Sequence, residues 1–469
     1  MMKTLLTVIL SLAAGCCFAS GVYNVKDFGA SGDKNVYATT SIQKAIDACA
    51  NDGGGIVFVP AGDYLCSTIV LKDNITLYLS SGATLWVSNK ESDYTNFISF
   101  ADTGGSGSVP IFIYASKAKN IAIKGEGRIK GQPEYYNEPM RYSQFIAEDC
   151  DAAIEAGVEM IASRWRKPNV SLIFLSECTN VTVEGISLID SPFWALHLHW
   201  CERVYVRGIY ISSALTVATQ SDGIDIDGSS NVVISDCILE TADDAVCLKS
   251  TKAAEEFRDC RNIVVTNCVI KTSSCALKLG TESNGNFTDV IFSNCVITES
   301  NRGLGIFMRD GGNARNITFS NIQIDCIRYP TGWWGSGDAF RFVVLKRYED
   351  SKIGSIENLT LKDIRANCQG SNRITGFSGN NTIRGVKIDN VSLNIFPEPV
   401  VDKRAKEAMS VANATDVRVN DLTIEWHGEK EKKWTNSVIF DNVKNLKTGN
   451  IEAINQPEGY EKIKTTDLK

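Results

Sequence analysis

Three carboxylates stand out by type and spacing. Asp222 lies in the segment SDGID, and the adjacent pair Asp243-Asp244 lies in TADDAV, 21 residues further on. Carboxylates crowded together cannot all ionise easily, so one should hold its proton with a raised pKa. A carboxylic acid beside carboxylates can protonate a leaving oxygen while a water is activated for attack. Two blander readings compete. Aspartates are common in tight turns, and Asp225 and Asp227 are read as turn or strand-edge partners of that kind. Clustered Asp oxygens also suit calcium. An adjacent acidic pair is harder to explain by turn chemistry than a lone aspartate.

For the trio to act together, the fold must bring position 222 beside 243–244. A repeat does this. An Asn or Asp, an alternating β-branched strand, a turn and a second strand recur as NVTVEGISLID from Asn180, RVYVRGIYIS from Arg203 and NVVISDCILET from Asn231. Further copies begin at Asn262, Asp289 and Asn316, and near Asn358, Arg384, Asp416 and Asn442, most of them 23 to 31 residues apart. Period-two alternation rich in Val and Ile marks strands, and Asn, Asp and Gly mark the turns. A repeat of this length, all strand and turn, predicts an all-β, parallel β-helix. Residues one coil apart then sit on neighbouring rungs, ~4.8 Å from each other.

The ends and insertions differ. Residues 38–51 predict a helix with Ile42, Ala45, Ile46 and Cys49 on one side, suited to capping the first coil. Residues 141–167 form a partly helical excursion and residues 328–340 an insertion between coils. No linker composition interrupts the chain, so residues 22–469 read as one domain despite the length of 469. Residues 1–20 read as an export signal, with Lys3, an apolar stretch at 5–12 and small residues after it. Cys17-Phe18-Ala19 suits ordinary cleavage, whereas Leu12-Ala13-Ala14-Gly15-Cys16 suits a lipoprotein box with Cys16 lipidated. The expected location is periplasmic, extracellular or lipid-anchored at the surface. No later stretch is long and apolar enough for a membrane helix.

A net charge of −7 without a basic stripe disfavours nucleic acid. Of 15 cysteines, two fall in the signal. Export permits disulfides, but Cys237, Cys268 and Cys295 hold matching places in successive repeats, which predicts a buried ladder. Zinc is disfavoured because no CxxC pair occurs.

SDGID followed one coil later by an acidic pair resembles the polygalacturonases of glycoside hydrolase family 28. Residues 166–201, RKPNVSLIFLSECTNVTVEGISLIDSPFWALHLHWC, resemble the coil before that family's first aspartate, and YNVKDFGASGD at 23–33 its amino-terminal cap. The resemblance covers most of residues 22–325. It implies a right-handed, pectin-lyase-like solenoid and hydrolysis without a cofactor or metal. It also implies Asp243 as general acid, Asp222 and Asp244 orienting water, and inversion at the anomeric carbon. The close carboxylates would not announce inversion by separation alone.

The match breaks in three places. Gln220-Ser221 replaces the family's Asn-Thr. Ser274 stands where a Gly-His-Gly histidine is expected, and Gly305, Ile306 and Phe307 stand where an Arg-Ile-Lys motif grips the substrate carboxylate. Alternation offers replacements: Lys278 shares the face of 274, Arg309 that of 305 and 307, and Lys249 that of Asp243. These cations either hold a displaced uronate carboxylate or balance the acidic cluster. SSCALKLG also resembles rhamnogalacturonan hydrolases, which lack the histidine too. His197, in WALHLHW, matches a family histidine and is a candidate substrate contact, His199 less so. Trp333 and Trp334 are candidates for a sugar-stacking platform, and Trp194 for packing beneath the cleft.

The leading expectation is an enzyme cleaving pectic chains, polygalacturonan or rhamnogalacturonan. A calcium-dependent pectin lyase and a non-catalytic glycan-binding β-helix are the alternatives. The oligomeric state is not legible.

Overall fold

The computed structural model describes residues 21–98, 108–143, 146–329 and 334–467. Residues 1–20, read as an export signal, and Trp333 lie outside the described residues. Within them the chain winds as a right-handed parallel β-helix, and 35 strands connect into one sheet system. Each regular coil contributes one short strand to each of three parallel stacks. The first stack runs from Gly55–Val59 through Thr179–Glu184 and Ser230–Ser235 to Val438–Thr448. The third carries Leu196–His199, Ile224–Asp227, Val246–Ser250, Cys275–Ser283, Arg302–Met308 and Asp338–Val344 on successive rungs.

The repeat explains itself coil by coil. Alternate residues point inward, and Val181, Val204, Val232, Ile263, Val290 and Ile317 lie in register along one inner column, all buried. The Asn or Asp that opens each repeat takes the left-handed conformation, as at Asn180, Asn231, Asn262, Asp289 and Asn316. Asn and Asp tolerate that region better than other non-glycine residues. Their side chains also bond to the equivalent residue on the next rung: Asn262 Nδ2 donates to Asn231 Oδ1 at 2.8 Å, and Asn316 Nδ2 to Asp289 Oδ1 at 2.8 Å.

The cysteines follow the same logic. All 13 described cysteines are free and buried. The thiols of Cys237, Cys268 and Cys295 donate to the carbonyls of Ser235, Thr266 and Ser293 at 3.2, 3.3 and 3.2 Å. They fill the ladder positions that the repeat assigned them.

Helix α1 (Thr39–Asn51) caps the first coil with Ile42, Ala45, Ile46 and Cys49 buried, as its spacing predicts. Gln43 fastens it to the nearest strand by accepting from the Val70 amide at 2.9 Å and donating to the Val70 carbonyl at 3.1 Å. The excursion starts earlier than expected. Tyr135–Pro139 and Ile161–Trp165 form an antiparallel ribbon that carries α2 (Ala147–Ala156) at its tip. Those strands pair with each other rather than with a coil, so the repeat leaves no trace there. The insertion at 328–340 ends sooner than expected, because Asp338 already begins a strand of the third stack.

Towards the C-terminal half the inner columns turn aromatic. Phe292, Phe319 and Phe342 stack face to face, with centroids 5.0 and 5.4 Å apart. Removing the middle ring leaves a cavity that rigid neighbouring rungs cannot fill. Phe319→Ala should cost about 3–5 kcal/mol in denaturant unfolding, whereas a loss within ~0.5 kcal/mol, typical of surface changes, would show that the coils do not pack as a rigid column.

Candidate active site

The three aspartates meet where the chain turns from the second stack into the third. Asp222 precedes the strand Ile224–Asp227, and Asp243 and Asp244 precede Val246–Ser250. The rungs lock through the backbone: Gly223 N donates to Asp244 O at 2.8 Å, and Ile224 N to Ala245 O at 2.9 Å. Gly223 is required here, because a Cβ would fall 2.4 Å from the Ala245 carbonyl. One oxygen from each of Asp222, Asp243 and Asp244 lies within 4.8 Å of the others.

Two lysines make this crowding tolerable. Lys249 is nearly buried. Its Nζ lies 3.2 Å from Asp222 Oδ2, 3.5 Å from Asp225 Oδ1 and 3.4 Å from Glu282 Oε2, over the Trp194 ring at 4.3 Å from its centroid. Lys278 bonds Asp244 Oδ2, while Asp244 Oδ1 accepts from Ser274 Oγ at 2.9 Å and the Cys275 amide at 3.3 Å. Gly305, on the rung beyond Lys278, leaves room for that lysine's stem. Charges of alternating sign continue outward: Glu282 Oε1 lies 3.6 Å from Arg347, whose guanidinium donates to Asp310 at 2.6 and 2.9 Å.

Titration follows from this arrangement. Burial, with the Asp244 carboxylate beside it, pushes Asp222 up to about 6 although Lys249 pulls the other way. Burial and then the charges of Asp222 and Asp244 hold Asp243 well above the usual carboxylate range. Burial and Asp222 do the same to Asp225. Burial also works against the charge on Glu282, but Lys249 and Arg347 outweigh it and hold that carboxyl at about 2. The site thus pushes the proton affinities of its acids apart, as acid–base chemistry requires.

The cleft around the trio has a volume of about 510 Å³ and is lined by Lys249, Lys278, Arg309, Trp194 and Trp334, together with Arg302, Arg341 and Arg347. Sequence reading missed the last three. Arg341 was findable in principle, since Lys278, Gly305 and Arg341 share one outward column, but the insertion at 328–337 broke the count. Glu282 was also missed.

Expectations change at His197, His199, Lys249 and Asp225. His197 does not line the cleft. It is fully buried beneath Phe174 and Trp194, with Nε2 3.0 Å from Asp227 Oδ2. Burial favours deprotonating the carboxyl least, yet bonds from His197 and Thr251 hold Asp227 at about 2. His197 and Asp227 therefore form a support under the floor, as does His199, whose Nδ1 meets Ser176 Oγ at 2.9 Å. Lys249 lines the cleft but spends its ammonium on protein carboxylates, which makes it the counter-ion of the cluster rather than a free grip on substrate. Asp225 is likewise a buried partner of Lys249, not a turn residue.

The sequence pattern of the Glycosyl hydrolases family 28 matches residues 49–401. The chain is 28% identical over 254 residues to an endo-polygalacturonase of Pectobacterium carotovorum subsp. carotovorum, covering 53% of this chain and 59% of that protein. It is 25% identical over 274 residues to a probable rhamnogalacturonase A of Aspergillus oryzae, covering 56% and 45%. The chain thus spans about half the length of the curated relatives it matches. Its fold superposes on a family 28 exopolygalacturonase from Yersinia enterocolitica with a TM-score of 0.68 at 22% identity, over 91% of this chain and 78% of that one. With the carboxylates, the rungs that hold them and the matched span in agreement, the chain belongs to the Glycosyl hydrolases family 28.

Proposed function

We propose that this protein hydrolyses glycosidic bonds in a pectic chain, polygalacturonan or rhamnogalacturonan, with inversion. The observation that carries the reading is the meeting of Asp243 with Asp222 and Asp244, their oxygens within 4.8 Å of one another, where Asp222 and Asp244 each contact a lysine and Asp243 is held above the usual carboxylate range. Asp243 protonates the leaving oxygen. Asp222 and Asp244 accept from a water and aim it at the anomeric carbon from the other side. Their closeness falls short of the spacing usual for inversion, so inversion draws its support from family membership. A proton NMR spectrum of the first product's anomer decides it.

The cations of the cleft favour a uronate-containing substrate. Arg309 is nearly buried, and burial together with Arg347 brings its pKa down to about 10. A guanidinium disfavoured in this way gains from an arriving carboxylate. Trp334 offers a ring to the apolar face of a sugar.

Calcium-dependent elimination fits the residues less well. Oxygens of the trio are close enough for a cation, but Lys249 and Lys278 already neutralise two of the three, and a divalent ion would sit against both ammonium groups. Elimination predicts an ultraviolet-absorbing product and sensitivity to chelator; hydrolysis predicts neither. A glycan binder without catalysis gains nothing from a carboxylic acid kept protonated at a cost in stability. Export is part of the proposal, resting on the leader-like first twenty residues. Among the described residues no helix is long and apolar enough to cross a membrane.

Three outcomes are expected. Asp243→Asn should lower kcat by ~10²–10⁴-fold in a reducing-sugar assay while oligosaccharide binding persists. Its melting temperature should equal or exceed that of the wild type. A raised folded-state pKa means the folded chain binds the extra proton, so stability falls as pH climbs from the ordinary carboxylate range through the raised value, and the amide removes that penalty. Undiminished cleavage would sink the assignment.

The kcat/KM profile should fall on the acid side near pH 6, where Asp222 takes up its proton and stops accepting from water. An acid limb in the ordinary carboxylate range would contradict the burial argument. Arg309→Ala should raise KM for acidic oligosaccharides ~10–100-fold, the loss expected of a charge-assisted hydrogen bond, with kcat little changed. Unaltered KM would make Arg309 a balancing charge only.

A further inference from the structure

Helix α2 lies between two cavities. Its first turn, with Ile146, Ala147, Glu148 and Asp149, lines the catalytic cleft. Glu148, Asp151, Ala152 and Glu155 line a second cavity of about 290 Å³ on the other side. Glu148 and Arg341 belong to both and form the partition.

The catalytic cleft draws its lining from successive rungs, from Trp194 past Asp222, Asp244 and Lys278 to Arg341, so the groove runs along the stacking axis. Its outward column continues from Lys278 through Gly305 and Arg341 to Arg373. At that point the floor is covered. Glu148 lies 3.3 Å from both Arg341 and Arg373, Asp149 bonds Arg404, and Glu155 lies 3.1 Å from Lys433. Three acidic side chains of one ten-residue helix, ~15 Å long, are thus fastened to cations of the later coils. The Asp149–Arg404 pair is the firmest, being almost out of solvent, where screening is weak. The antiparallel ribbon supplies the stalk, and Cys150, Ala153 and Met160 form a small core at its tip.

We infer that α2 is an acidic strap that closes the groove beyond Arg341, so that the protein removes short saccharides from chain ends instead of cutting within chains. Roughly two rungs, ~10 Å, separate Lys278 from Arg341. That floor holds a short saccharide, but a continuing polyuronate would need the cations that α2 already occupies. This rests on the hydrolase reading and deepens it by fixing how the substrate enters.

The test compares early products and viscosity loss on long polygalacturonan and rhamnogalacturonan. The full chain is set against a variant in which residues 141–159 are replaced by an Asn-Gly turn. The ribbon can be rejoined there, since Met140 N donates to Met160 O at 2.8 Å. The full chain should release mono- or disaccharide from the first time points with slow viscosity loss. The shortened chain should yield a ladder of oligosaccharides and several-fold more viscosity loss per bond cleaved. If the deletion fails to fold, Glu148→Lys/Asp149→Lys in the full chain, which repels the strap from the same cations, should produce the same change. A ladder from the unaltered chain, or chain-end products alone from a folded variant, overturns the strap. No product from either polysaccharide overturns the hydrolase reading beneath it, a result distinct from cleavage in the wrong pattern.

Discussion

Everything at this site depends on compensating three crowded carboxylates, two of them buried and the third, Asp243, half-buried. Taking one ion into a protein interior costs several kcal/mol even after relaxation, and a carboxylate trio with oxygens within 4.8 Å adds mutual repulsion. Lys249 and Lys278 offset two of the charges, and burial beside those two carboxylates raises the pKa of the third, Asp243. Lys249 is in turn held by Glu282, which meets Arg347 and through it Asp310, in an alternating series that crosses rungs of the third stack. The proposed chemistry follows from that imbalance, which favours a proton on Asp243.

The solenoid makes such a series possible. Each coil places an outward side chain ~4.8 Å from its neighbour, so a column of residues becomes a row of adjustable charges. Asp225, Cys247, Lys278, Gly305, Arg341 and Arg373 form one such column. Inward, the same register stacks Val, Ile and Phe into a continuous core, and at the turns Asn side chains bond rung to rung. The rigidity of the core and the placement of the charges share one cause. Excursions then modify the groove without disturbing the coils beneath, as α2 does.

Much of this was legible in the sequence because the repeat is strict. Period-two alternation and the recurring Asn identified the coils, the 21-residue interval brought Asp222 to Asp243 and Asp244, and the one-sided pattern of Ile42, Ala45, Ile46 and Cys49 marked the capping helix. Parity along the strand also put Lys278 in the cleft. What failed to show were the links that ignore the repeat. Glu282 meets Lys249 and Arg347 through side-chain reach, and Arg341 lies behind an insertion of irregular length. His197 shares the parity of cleft residues but lies beneath Phe174 and Trp194, a matter of depth that alternation does not encode. The ribbon carrying α2 pairs with itself and so has no period to read.

The central claim is that Asp243 carries the proton in the resting site. Infrared difference spectra between wild type and Asp243→Asn, taken across pH, test it most directly. The account predicts a carboxylic-acid band that persists at neutral pH in the wild type and is missing from the variant. The raised carboxyl of Asp225 is common to both proteins and cancels in the difference; a difference spectrum with no carboxylic-acid band at neutral pH, or one whose band vanishes in the ordinary carboxylate range, would contradict it.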